Sequence, residues 1–191
     1  REVFSLYYDD INLNSLFDNV TGVSDREKFR LRWYDKEENI SNANFEIKKK
    51  KNKLTTKEVI KLNKKIEKKD LEYLFLRKDV FDKYFQNKLI NEIFLKKIND
   101  LIKPKLFTNY KRDYFKFDNN LRFTFDYSIN FKLYNDKFEI WKKDDKSIIE
   151  VKCVESKLNN YIKILKDIPL IAKRNSKYVK GMAMYDKTNY F

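Results

Sequence analysis

The segment from Lys28 to Tyr34 alternates charged and apolar side chains. Side chains on a β-strand point to opposite faces in turn, so this alternation predicts a strand with two unlike faces. Three cations and a tyrosine share one face, and three apolar side chains share the other. The cationic face consists of Lys28, Arg30, Arg32 and Tyr34, and the apolar face of Phe29, Leu31 and Trp33.

The same alternation returns along the chain, in residues 45–50, 110–112, 122–126 and 149–152. Together these strands would carry Arg, Lys and Glu on one face and Phe, Ile, Leu, Val and Trp on the other. Several such strands predict an antiparallel β-barrel with a charged lumen and flanking helices, which is an α+β fold.

Further elements follow from the same patterns. We predict strands at 3–8, 106–115, 121–133, 137–141 and 148–154, a short helix capped by Asp9 and Asp10, and a helix from Ser156. Residues 35–44 are a polar turn, which would join the cationic strand that begins at Arg26 and a strand at 45–51 into a hairpin. From 55 to 103 the apolar spacing is helical, with one stripe at Val59, Leu62 and Ile66, which predicts a helical insertion that ends at Pro104.

Composition agrees with one folded domain over residues 1–191. Hydrophobic residues make up 42% of the 191 residues and aromatic residues 16%, which excludes a disordered chain although 38% are charged. No repeat or low-complexity linker divides the sequence.

The net charge of +14 implies an anionic partner: nucleic acid, a phosphate compound or an acidic membrane. The chain has no His, which excludes His-based zinc sites and His general bases. Cys153 is the single cysteine, so no internal disulfide can form, and we expect a buried, inert thiol in a reducing cytoplasm. No signal peptide and no apolar run long enough for a transmembrane helix is visible.

Seven short stretches, in this order, resemble the polyphosphate polymerase domain of the vacuolar transporter chaperone (VTC) family. They are SLYYD at 5–9, KFRLRWY at 28–34, FEIK at 45–48, NYKR at 109–112, LRFTFD at 121–126, IEVK at 149–152 and SKY at 176–178. The family is part of the triphosphate tunnel metalloenzyme superfamily. The resemblance implies a barrel whose basic tunnel binds a nucleoside triphosphate and a metal and passes a growing polyphosphate chain.

The resemblance also implies roles for individual residues. Arg30, Arg32, Lys48, Tyr110, Arg112 and Arg122 match phosphate-contacting tunnel positions, and Glu150 matches the metal-binding glutamate. Arg174 and Lys177 match two basic positions near the C-terminal end of the family's domain. The family has a further N-terminal strand with basic and acidic residues. Because the chain starts on Arg1 within a predicted strand, we expect that this piece is missing here.

Phosphoryl transfer requires positioning and charge neutralisation more than a covalent nucleophile, which suits a chain without His. We assign Arg30, Arg32, Arg112 and Arg122 to bidentate phosphate binding, Lys48 and Lys152 to point charges, and Glu150 to Mn²⁺ or Mg²⁺. Lys28, Glu46, Tyr110, Asp126, Arg174 and Lys177 complete the predicted substrate site. For some of these a structural role stays open: an ion pair for Glu46, Asp126 and Glu150, a core position for Tyr110, and a surface position for Lys28.

These residues favour an ATP-dependent polyphosphate polymerase in the cytoplasm. Two alternatives stay open: a hydrolase of triphosphates in the same superfamily, and a non-catalytic module that binds polyphosphate, inositol phosphates, phosphate or sulfate. Nucleic-acid binding fits poorly, because the cations alternate on strands that would face inward and no nucleic-acid motif is present.

Overall fold

The protein is described from a computed structural model. The structure describes residues 1–34, 40–52, 54–62, 64–85, 100–134, 140–169 and 171–185. Its strands are β1 (Glu2–Asp9), β2 (Arg26–Tyr34), β3 (Asn44–Lys51), β4 (Leu54–Lys61), β5 (Lys103–Lys116), β6 (Leu121–Leu133), β7 (Lys142–Asp144) and β8 (Ile148–Cys153). Its helices are α1 (Asn14–Thr21), α2 (Lys78–Tyr84), α3 (Leu158–Lys166) and α4 (Lys177–Ala183), and 3₁₀ turns lie at Lys68–Asp70 and Glu155–Lys157.

The strands form one antiparallel sheet in the order β4-β3-β2-β1-β5-β6-β7, and β8 pairs with β6 beyond the end of β7. The predicted α+β class and the antiparallel pairing are confirmed. Within the described residues no ladder joins β4 to β7 or β8, so the predicted barrel is an open sheet in this part of the chain. A bulge in β6, where Ser128 has φ of 50°, shifts the register against β5 between Asn109 and Lys111.

One face of β1, β2 and β3 carries the larger apolar core. Phe29, Leu31 and Trp33 of β2 are buried there, as the period-two pattern predicts. Apolar side chains from residues 62–85 cover this face. Phe75 from this cover packs edge-on against Tyr8 of β1, with ring centroids 5.3 Å apart. Because this face is covered by the chain itself, the charged side chains of the same strands must use the other face.

Helix α4 packs on that other face, at its β5 and β6 side. Tyr178 stacks on Tyr7 of β1 at 5.2 Å between ring centroids, and its hydroxyl donates to Asp9 Oδ2 at 2.8 Å. Asp9 also accepts from the backbone N–H groups of Ser15 and Leu16 at the start of α1, both at 3.0 Å. The buried Asp9 carboxylate therefore joins β1, α1 and α4.

The predicted helical insertion at 55–103 is wrong in its first part. Residues Leu54–Lys61 form β4, which pairs with β3 over its whole length. As an edge strand with mostly exposed side chains, β4 lacks the burial alternation that identifies a strand in a sequence. The helical prediction holds for α2, while residues 86–99 of the insertion lie outside the described residues.

Three smaller predictions concern a strand and a turn, the burial of Cys153, and membrane-spanning helices. Residues 137–139 of the predicted strand at 137–141, and 35–39 of the predicted turn, lie outside the described residues. Cys153 is half-buried at the end of β8, whereas we predicted a buried thiol. Among the described residues, no helix is both long enough and apolar enough to cross a membrane.

Candidate functional site

The face of the sheet opposite the large core gathers the predicted site residues; we call it the cationic face. It carries Ser5 and Tyr7 of β1, Lys28, Arg30 and Arg32 of β2, Glu46 and Lys48 of β3, Tyr110 and Arg112 of β5, Arg122 and Asp126 of β6, and Glu150 and Lys152 of β8. Four strands separate β3 from β8 in the sheet order, yet the charges of Glu150 and Lys152 act on Lys48. The sheet therefore curves around this face and forms an open channel.

Glu46 is the counter-ion of one wall of the channel. Its carboxylate is 2.5 Å from Arg30 Nε, 3.7 Å from Arg32 Nη1 and 2.6 Å from Lys57 Nζ. The residue is only 3% exposed. Burial raises the pKa of Glu46, but the charges of Arg30 and Arg32 outweigh burial and lower the pKa to about 2. Glu46 is therefore ionised and holds three cations in place.

Hydroxyl groups on the floor of the channel orient the two arginines further. Arg32 donates to Tyr110 Oη at 3.2 Å and to Ser5 Oγ at 3.4 Å, and Arg30 donates to Tyr7 Oη at 3.4 Å. Burial raises the pKa of Tyr110 to about 12, so its hydroxyl is neutral. Tyr110 is thus both a buried aromatic residue and a hydrogen-bonding partner of a predicted phosphate ligand.

Asp126 is the counter-ion of the opposite wall. Arg112 donates to both of its carboxylate oxygens, at 2.5 and 2.7 Å, and Lys177 at the start of α4 donates to Oδ2 at 2.5 Å. Asp126 is 1% exposed. Burial raises its pKa, but the hydrogen bond from Arg112 and the charge of Lys177 lower it below its usual value. Arg112 and Lys177 also lie over the Tyr110 ring, at 5.2 and 4.5 Å from its centroid.

Glu150 and its neighbours form the more open part of the channel. The Glu150 carboxylate is 3.2 Å from Lys152 Nζ and 3.8 Å from Arg112 Nη2, and its side chain is 43% exposed. Burial raises the pKa of Glu150, but the charges of Lys152 and Arg112 outweigh burial and hold this pKa below its usual value. Thr124 lies opposite Glu150 in the ladder, and Arg122 opposite Lys152. Glu150 is thus an ionised, accessible carboxylate beside two cations, Lys152 and Arg112.

The channel can hold a metal ion only if its carboxylates are available as ligands. Among the described residues, no three Cys, Asp or Glu side chains converge on a point where they could hold an ion. Glu46 and Asp126 are each paired with more than one cation, which leaves Glu150 as the accessible carboxylate among the described residues of the cationic face. Mg²⁺ often takes only one or two protein carboxylates and completes its shell with phosphates and water. The described donor set therefore fits a metal bound in that mode.

The remaining predicted residues lie at the end of the channel beside α1 and α4. Lys28 donates to Ser176 Oγ at 3.0 Å, and Lys48 lies opposite Lys28 in the β2–β3 ladder. Arg174 is exposed and donates to the Asn19 carbonyl oxygen of α1 at 3.2 Å. Arg174 therefore flanks the end of the channel rather than lining its floor.

The structure brings twelve of the thirteen predicted site residues to the cationic face. Glu46 and Asp126 were predicted to bind substrate, with an ion pair as the open alternative, and the structure shows that both carboxylates are buried in ion pairs with cations. Sequence reasoning also missed Tyr7 and Lys57. A period-two reading of residues 54–61 would have placed Lys57 on the side of Lys48, its partner in the β3–β4 ladder.

The chain is similar to known proteins in sequence and in structure. The family model described as the VTC domain matches residues 1–185. A crystal structure of a candidate adenylate cyclase from Bacillus halodurans superposes with a TM-score of 0.52 at 14% identity, covering 92% of this chain and 80% of that chain. A structure of a protein from Pyrococcus horikoshii has a TM-score of 0.45 at 10% identity and covers 97% and 83%, respectively. A search among curated proteins gave no match.

Proposed function

We propose that this chain, which belongs to the VTC domain family, is an ATP-dependent polyphosphate polymerase. The match over residues 1–185 confirms the family that the sequence resembles. The observation that carries the proposal is the channel itself, in which arginine and lysine side chains from β2, β3, β5, β6, β8 and α4 meet on one face. A string of phosphates is the kind of ligand that so many converging cations favour.

In the proposed reaction, an oxygen of the terminal phosphate of a polyphosphate chain attacks the γ-phosphorus of ATP. The new P–O bond forms as the bond from the γ-phosphorus to the β,γ-bridging oxygen breaks, and ADP leaves with that electron pair. No covalent protein intermediate is needed. The protein's part is to hold the two phosphate ends in line and to neutralise the equatorial oxygens.

The arginines are suited to hold the phosphate groups because their orientation is fixed before the ligand binds. Arg30 and Arg32 are held by Glu46 and by tyrosine hydroxyls, and Arg112 by both oxygens of Asp126. Each of these guanidinium groups has further N–H donors that can bind phosphate oxygens. Lys48, Lys152 and Arg122 add positive charge along the path of the chain.

A divalent metal, Mn²⁺ or Mg²⁺, would be held by Glu150. When bound, such an ion neutralises phosphate oxygens and polarises the phosphoryl group. Glu150 keeps its negative charge because Lys152 and Arg112 hold its pKa low, so it is available as a ligand at neutral pH.

A second candidate function is supported by the scarcity of carboxylates. With one accessible carboxylate on the cationic face in the part of the chain that the structure describes, the protein could hold polyphosphate, inositol phosphates, phosphate or sulfate without turning over ATP. A third candidate is a triphosphatase, in which water takes the place of the polyphosphate acceptor. The products of the reaction distinguish all three.

The test is incubation with ATP and Mn²⁺ or Mg²⁺, followed by a gel that resolves polyphosphate length. We expect a ladder of chains that is lost in Arg30→Ala and Glu150→Gln. Arg77→Ala is the matched control, because Arg77 is exposed and pairs with Asp79 outside the channel; it should keep the ladder. Free phosphate without a ladder would identify a triphosphatase, and neither product would identify a binding module.

A further inference from the structure

The amino group of Lys28 has an unusual environment within the channel. It donates to Ser176 Oγ at 3.0 Å, and the same oxygen caps α4 by accepting from the Val179 backbone N–H at 3.4 Å. Lys28 is partly buried between β2, β3 and the chain that leads into α4. The contact with Ser176 therefore ties the end of the channel to the N-terminus of α4.

The charges that act most strongly on Lys28 are all positive. Arg26 and Arg30 lie two positions away on the same face of β2, Lys48 lies opposite on β3, and Arg174 approaches from the chain before α4. Burial and these four cations, in that order, lower the pKa of Lys28 to about 7.

The carboxylates of the neighbouring elements are already engaged elsewhere. Glu46 of β3 is held by Arg30 and Lys57, and Asp126 of β6 by Arg112 and Lys177. Glu150 acts on Lys48 but forms its ion pair with Lys152. Within the described residues, no carboxylate lies at ion-pair distance from Lys28 or Lys48. This end of the channel thus differs from the two walls, where buried carboxylates balance the arginines.

A phosphate group is the natural counter-ion for such a cluster. An anion placed among Lys28, Lys48 and Arg174 would supply the negative charge that these residues lack, and it would favour the protonated form of Lys28. We propose that this end of the channel binds a phosphate group of the ligand and that Lys28 takes up a proton from solvent as it binds. The inference rests on the proposed function, because it assumes that the channel binds a phosphate chain.

Linkage gives the direction of the pH dependence. Well below pH 7, Lys28 is charged with or without ligand, so binding takes up no proton there. Above pH 7 the free protein carries a mostly neutral Lys28, and binding must protonate it. The affinity should therefore fall as pH rises from 7 towards 9, by up to about tenfold per pH unit from this group alone.

Isothermal titration calorimetry with tripolyphosphate, without metal, tests the proposal at pH 8. Titrations in two buffers of different ionisation enthalpy give the number of protons taken up. A group with a pKa of about 7 is about nine-tenths neutral at pH 8, so the wild type should take up close to one proton more than Lys28→Arg. Arginine stays charged, and protons exchanged by the ligand itself cancel in this comparison.

Two further variants make the result specific. Lys111→Arg, at an exposed lysine on the opposite face of β5, should take up as many protons as the wild type. Lys28→Met should lose the extra proton and should also bind more weakly at pH 6, where the wild-type lysine is charged. Equal proton uptake by wild type and Lys28→Arg, with tripolyphosphate bound by both, would overturn this inference alone. No binding by the wild type at any pH would overturn the proposed function as well.

Discussion

Two buried carboxylates, Glu46 and Asp126, make the cationic face possible. Two guanidinium charges about 6 Å apart repel by about 3 kcal/mol at an effective dielectric constant of about 20, and the face carries several such charges. Glu46 and Asp126 offset part of this repulsion and fix the orientation of Arg30 and Arg112. Their roles are therefore electrostatic and positional in the ligand-free protein.

Replacing Asp126 with Asn tests this role. The change removes the buried carboxylate that pairs with Arg112 and Lys177 and leaves Arg112 only the more exposed Glu150 at 3.8 Å. We therefore expect the free energy of unfolding to fall by about 3 to 5 kcal/mol. Denaturant unfolding at pH 7 measures it. Asp82→Asn is the control: the exposed pair of Asp82 with Lys78 should contribute less than about 1 kcal/mol. Equal stabilities of the two variants would contradict the role.

The pH dependence of this effect has a defined sign. The pKa of Asp126 is lower in the folded protein than its usual value. Its stabilisation is therefore fully present above the pKa of the unfolded chain, near 4, and is lost as pH falls through the lower folded value. The difference between wild type and Asp126→Asn should shrink below pH 4. A difference that stays constant down to pH 2 would contradict this assignment.

At the residue level, the alternation of charge predicted which side chains meet, but not how they pair. It placed Arg30, Arg32 and Lys48 on one face, and the structure agrees. The pairing of Arg112 with Asp126 depends on the β5–β6 register. The pairing of Lys177 with Asp126 depends on where α4 packs against the sheet. These are long-range features that residue order alone does not specify.

Among the elements, helix α4 contributes both a wall and a cation to the channel. Its close approach to the sheet depends on Gly181. A Cβ atom at this position would lie 2.6 Å from Phe131 Cδ1 and would also clash with Leu106, and both side chains are fully buried. The docking of α4, and with it the position of Lys177, thus requires a residue without a side chain.

Gly181→Ala should therefore destabilise the protein. In an exposed helix this change stabilises by up to about 1 kcal/mol, so the sign of the effect reports on packing. We expect a loss of about 1 to 3 kcal/mol, measured from denaturant midpoints, because the neighbouring side chains must shift. A protein as stable as the wild type, or more stable, would show that α4 is not docked as described.

The sequence patterns identified elements according to how they are buried. Strands β1 and β2 each have one face whose central side chains are apolar and buried, and both were predicted correctly. Strand β4 is an edge strand whose exposed side chains include Thr55, Thr56 and Val59, so its sequence lacks that signal. The i, i+3, i+7 spacing of Val59, Leu62 and Ile66 instead resembled a helical stripe. Leu62 and Ile66 are buried, but in the segment that follows the strand.

At the scale of the whole molecule, the fold brings like charges together from strands far apart in sequence. Lys48 of β3 and Lys152 of β8 repel each other across the channel although about 100 residues separate them. Anionic ligands should therefore bind to, and stabilise, the entire curved sheet. All three candidate functions depend on this binding, whether or not phosphoryl transfer follows.

Thermal unfolding with and without tripolyphosphate tests this central claim most directly. At a ligand concentration about 100-fold above Kd, mass action adds about 2.7 kcal/mol, which corresponds to a rise in Tm of about 5 to 10 °C for a chain of this size. Sodium chloride at equal ionic strength should give little of this rise, and Arg30→Ala should reduce it. A Tm unchanged by millimolar tripolyphosphate would contradict a phosphate-binding channel.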